Sequence, residues 1–147
     1  MSTTITPPDS DMRIQALSCY EYANSFFKTF QKAVNAKSSR FDNNLLYNFA
    51  VMSFEKYFVS LLACYDWNAT HHMPIALFRE AQQFEPELTE DMKKTAILVG
   101  KFEAICSLDE FGYRTPSLEE LREMAAGMAV IKSLVEKRVG EIEVFPA

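Results

Sequence analysis

The sequence predicts an all-α fold, an up-and-down antiparallel bundle of four main helices plus one short helix. Apolar residues recur at three- and four-residue steps through most of the chain, the period of a helix with one buried face. Only four glycines and six prolines occur in 147 residues, and Pro7, Pro8 and Pro146 lie near the ends. Strand-like alternation is confined to the run EIEVF at 141–145. With 48% apolar and 13% aromatic residues, 12 of them Phe, the chain carries the side-chain volume of one core, as its length suggests.

Residues 1–10 (MSTTITPPDS) are polar and Pro-containing and read as a flexible leader, the bundle as 11–139, and 140–147 as a tail. A first helix starts at Asp9, Ser10 or Asp11, each a good N-cap type, and runs to about Lys37 on the series Ile14, Leu17, Tyr20, Ala23, Phe27, Phe30 and Val34. Asp42 caps a second helix to about Tyr65. Its apolar arc (Leu46, Ala50, Phe54, Tyr57, Phe58, Leu61) is joined on the other side by Leu45, Phe49, Met52 and Val59. A helix apolar on more than one side is either central to its bundle or covered by another subunit, which makes Phe49, Met52 and Val59 the expected dimer interface.

After Asp66 the segment WNATHHMP breaks the period, and Pro74 suits the first turn of a short helix to about Phe84. Pro86 ends it. Thr89 caps a helix expected to reach Asp109 through Ile97, Leu98, Phe102 and Ile105, with Gly100 inside it. FGYRTPS is a loop. Ser117 with Glu120 three residues on has capping-box spacing, and Leu121, Met124, Met128, Ile131 and Val135 form the last stripe.

A net charge of -5 without a dense Lys/Arg run weighs against nucleic acid and anionic membranes as partners. No basic segment leads into an apolar one at the N-terminus and no apolar run is long enough to span a bilayer, so a cytoplasmic protein is expected. Cys19, Cys64 and Cys106 are an odd, scattered set, read as buried thiols in a reducing compartment. His71 and His72 lack ligand-spaced partners, and neither a nucleophile motif nor a phosphate-cradling glycine loop is present. No metal and no cofactor is therefore expected. Glu55 and Lys56 are conspicuous as charges flanked by Phe54, Tyr57 and Phe58.

The run Phe49 to Leu62 (FAVMSFEKYFVSLL) is similar to the A-x-x-x-x-E-K-x-x-K-A-L-L second helix of the HEPN domain family. Two long leading helices, His72 opening the short third helix, and Tyr113-Arg114-Thr115-Pro116, like that family's R-Y-P loop, extend the resemblance over residues 12 to 138. It implies either a ribonuclease or a non-catalytic module beside a nucleotidyltransferase. Ribonuclease members carry Arg four to six residues before His; here neither His71 nor His72 has such an Arg, and Arg114 is followed by Glu119, Glu120 and Leu121. Without a paired guanidinium and imidazole, nothing evident moves the 2′-hydroxyl proton and stabilises the phosphorane.

The expectation is thus a non-catalytic HEPN-like binding module, a homodimer, with Glu55, Lys56, His72, Tyr113 and Arg114 around a nucleotide-like ligand or a nucleotidyltransferase-type partner. Two alternatives stand beside it: a ribonuclease with a rearranged site using His71 or His72 and Arg114, and a purely structural dimerisation module.

Overall fold

A computed structural model describes residues 8–36, 41–102, 108–109, 112–113 and 115–143. Among the described residues, regular structure is all-helical apart from one two-residue antiparallel pairing, and the helices pack as an up-and-down bundle. Helix α1 (Ser10–Asn35) begins where the Asp9 carboxylate accepts from Met12 N at 2.8 Å. Such a cap satisfies one of the N–H groups that a helix start leaves unpaired. Its buried residues, Met12, Ala16, Cys19, Ala23, Phe27, Phe30 and Val34, recur at steps of three or four and make one stripe.

Helix α2 (Asn43–Cys64) is capped by Asp42, whose side chain accepts from Leu45 N at 2.8 Å. It contacts α1 and α5 as well as α3 (Pro74–Gln82) and α4 (Glu90–Gly100). Of the two explanations for its all-round apolar character, central position in the bundle is realised. Phe49 is accordingly half-buried, 6.5 Å from Phe26 and 5.5 Å from Phe41 between ring centroids. Phe54 and Phe58 are fully buried and stack at 4.6 Å, and Tyr57 meets Phe27 edge-on at 6.1 Å. Each such ring contributes about 1.5–3 kcal/mol through burial, and each ring pair about 0.5–1.5 kcal/mol more. The buried hydroxyl of Ser60 donates to Ala16 O at 2.6 Å, locking α1 against α2.

Pro74 opens α3 and Thr89 caps α4, as the sequence predicts. Helix α4 is shorter than expected. It ends at Gly100, and Leu108–Asp109 (β1), expected at the helix end, pairs antiparallel with Gly112–Tyr113 (β2). Ile105 and Cys106 lie outside the described residues. The last helix, α5 (Leu118–Glu143), is opened by a reciprocal box: Glu120 N donates to Ser117 Oγ at 3.1 Å and Ser117 N to Glu120 Oε1 at 3.0 Å. Residues 140–143, expected in the tail, continue α5 instead, because Val139 and Ile142 extend the buried stripe past Gly140. Glu141 to Glu143 are therefore helical, and the apparent strand alternation there is the end of a helical stripe.

Candidate functional site

Between α2 and α3 the chain forms a strap, residues 66–73. Helix α2 stops in a Schellman arrangement, with Trp67 N donating to Leu62 O (3.1 Å) and Asp66 N to Ala63 O (2.9 Å). Asp66 takes the left-handed position this requires, at φ 61°, a place where Asp is tolerated and a branched residue is not. Its carboxylate also accepts from Asp9 N at 3.3 Å. The strap then runs back along α2. Asn68 accepts from Gln15 Nε2 of α1 at 3.2 Å, and His72 Nδ1 comes within 3.7 Å of Glu55 Oε1.

One carboxylate holds the middle of the strap. Glu80 of α3, 4% exposed, accepts from Trp67 Nε1 (2.7 Å), Thr70 N (3.0 Å), Thr70 Oγ1 (2.9 Å) and His71 Nδ1 (3.0 Å). Burial pushes its pKa up, but the hydrogen bonds from Trp67, His71 and Thr70 outweigh that and hold it at about 2. A carboxylate ionised to that degree has no proton to give, so His71 Nδ1 carries the hydrogen.

A second buried carboxylate, Glu85, follows α3. It takes a two-pronged contact from Arg138 of α5 and a hydrogen bond from Tyr65 OH at 2.9 Å. Arg138 also reaches Glu87 and Glu141, and Lys137 meets Glu87 at 2.9 Å. Burial raises the Glu85 pKa; Arg138, the Glu87 backbone N–H and Tyr65 more than reverse it, leaving Glu85 below the ordinary carboxylate range. This cluster ties the α3–α4 turn to α5 and to the end of α2.

Of the predicted site residues, Glu55 and Lys56 sit half-buried in mid α2, and His72, 85% exposed, joins Glu55 across the strap. Helices α1 and α2 pack along each other and Asn68 of the strap bonds Gln15 of α1, so this surface lies where α1, α2 and the strap meet. The side chain of Tyr113 and all of Arg114 lie outside the described residues. Of the predicted interface, only Met52, at 43%, is exposed; Phe49 and Val59 are half-buried. Burial raises the pKa of both described thiols, Cys64 to about 12, which removes the nucleophilic form of Cys64 at neutral pH.

Sequence reasoning missed Glu80, Glu85 and Arg138. For Arg138 a signal existed: it continues the α5 series Leu121, Met124, Met128, Ile131, Val135 and so occupies a core position that demands a partner. Glu80 stands three residues after buried Leu77 on a nine-residue helix, a weaker signal of the same kind. Glu85 lies beyond the helix and has none.

Among the described residues no three His, Cys, Asp or Glu side chains gather as a metal-holding group, and no helix is long and apolar enough to cross a membrane. A surface depression of about 400 Å³ is lined by Ser18, Glu21, Tyr22 and Ser25 on the outer face of α1, and none of the predicted site residues is among these four. In comparisons with known proteins, no family model, no curated protein and no solved structure matches the chain.

Proposed function

We propose that this chain is a non-catalytic binding module of the HEPN-like kind, taking a nucleotide-like ligand on the surface formed by mid α2 and the strap. The observation that carries the reading is the meeting of Glu55 and His72 at 3.7 Å, with half-buried Lys56 following Glu55 in α2. A cation and an imidazole suit a phosphate, and the Glu55 carboxylate suits a sugar hydroxyl or a base N–H. Both described thiols, Cys19 and Cys64, are buried, which favours binding over covalent chemistry at those two positions. The module self-associates as a homodimer through the exposed Met52 side of α2; Met52→Asp then sediments as a monomer, and an unchanged sedimentation coefficient removes that part of the reading.

The test of ligand binding is a thermal-shift panel of ribo- and deoxyribonucleotides and short RNAs at low salt, with RNA integrity followed in the same tubes. Stabilisation without cleavage, lost in Lys56→Ala, supports the proposal. No shift with intact RNA replaces the nucleotide with a protein partner of the nucleotidyltransferase type. Cleavage overturns the non-catalytic reading. One observation favours that second reading, a rearranged ribonuclease: Glu80 holds His71 Nδ1 at 3.0 Å while the ring stays 54% exposed, and an imidazole held by a carboxylate can serve as an acid–base group. Loss of cleavage in His71→Ala would establish it.

A further inference from the structure

We propose that the strap of residues 66–73 is a proton-sensitive latch, in which the charge on His71 sets how tightly Glu80 holds the strap to the bundle. Three residues of the strap, through the Trp67 indole, the Thr70 hydroxyl and amide, and the His71 ring, converge on the single buried carboxylate of Glu80. Only one of these donors changes charge near neutral pH, because an imidazole exchanges its proton between about pH 5 and 8 whereas indole, hydroxyl and amide do not. Glu80 stays ionised over that range, since its pKa lies at about 2.

A neutral His71 still donates its Nδ1–H to Glu80. An imidazolium makes the same bond charge-assisted and therefore stronger. The second imidazole has the same sign of response, because protonated His72 faces Glu55 at 3.7 Å, but at 85% exposure that pair is screened and contributes little. From the elements packed on the strap, the described charged contacts are Glu80 of α3 and Glu55 of α2, with Lys56 next to Glu55. The region of α1 supplies the neutral Gln15 amide to Asn68 and the Asp9 backbone N–H to the Asp66 carboxylate. A protonated ring carries a charge opposite to that of the described anion it faces, so the strap is held more tightly on the acid side and loosens as pH rises.

The hinges are in place at both ends: the left-handed Asp66 and the Met73–Pro74 junction, where the chain enters α3 from an extended conformation. The latch is a property of the free protein and does not depend on the ligand reading, so either fails without the other.

Trp67 is the only tryptophan in the chain, and it touches the latch itself, so its fluorescence reports the state of the strap. The experiment follows Trp67 emission and amide exchange of residues 67–71, corrected for intrinsic rates, from pH 5 to 8 in the full chain. The expected result is a single sigmoidal change in emission and a several-fold loss of protection at Thr70 as pH rises, with α1 and α5 core amides unchanged. His71→Gln, at an exposed position, abolishes the transition, and His72→Gln leaves most of it. A flat wild-type profile, a transition that survives His71→Gln, or a matching loss of core protection would each overturn the latch.

Discussion

Arg138 Nε and Nη2 meet the two oxygens of Glu85 at 2.6 and 2.7 Å, across 53 residues of sequence, with both side chains inside the protein. Paired forks of this kind satisfy two buried charges at once, and the cost of breaking them comes from the charge left behind. Arg138→Met is expected to destabilise the fold by about 3–5 kcal/mol. Arg138→Met with Glu85→Leu recovers most of the loss, because neither charge is then stranded. Urea denaturation of the two variants decides it; a double variant no more stable than Arg138→Met would show that the pair acts through the turn geometry instead.

Glu80 carries a distinct acid dependence. Its pKa is held at about 2 in the folded chain against 4.5 for the free group, so its contribution is complete above 4.5 and lost as pH falls toward 2. Glu80→Gln should lower stability at pH 7 by about 2–3 kcal/mol and flatten the stability profile between those two limits. Thermal melts from pH 2 to 7 measure both. A variant whose acid profile parallels wild type would separate Glu80 from the acid sensitivity.

Two glycines of α5 answer oppositely to the same substitution. A Cβ on Gly127 would lie 2.0 Å from Thr95 Oγ1 of α4, whereas one on Gly140 meets nothing within 4 Å. Gly127→Ala should cost about 1–3 kcal/mol through overpacking, and Gly140→Ala should add about 0.5–1 kcal/mol through helix propensity. Thr95→Ala in the Gly127→Ala background should restore part of the loss. Melting temperatures of the four proteins form the test.

Cys64 is fully buried and its thiol is pushed up to about 12 by burial and by Glu85, against a smaller opposing pull from Arg138. Peptide mapping after thiol labelling at pH 8 should find Cys64 unmodified in the native protein and fully modified in denaturant. Rapid native labelling of Cys64 would mean that the end of α2 opens locally, and would contradict the clamp formed by Tyr65, Glu85 and Arg138.

Helix starts were the most readable part of the chain. Asp9, Asp42, Thr89 and Ser117 with Glu120 form the caps their types and spacings announce. The ends were less so. Helix α4 stops at Gly100 although apolar residues continue in step, and α5 passes through Gly140 although a glycine invites a stop. The second outcome follows from packing, because beyond Gly140 the core still receives Ile142. Of the candidate site, the pairing of Glu55 with His72 fell within the predicted set, whereas the flanking Phe49 turned inward between Phe26 and Phe41.

Periodicity and capping act within a few residues, so the all-helical bundle, its element order and its N-terminal boundaries are written locally in the chain. Charged side chains obey a different rule. Whether Glu80, Glu85 and Arg138 are solvated or buried depends on donors and acceptors tens of residues away, and no local pattern brings Tyr65, Glu85 and Arg138 to one point. Packing α3 and α5 against α2 removed water from these groups and gave them each other, which is why the strap's anchor and the bundle's buried ion pair emerged only in three dimensions.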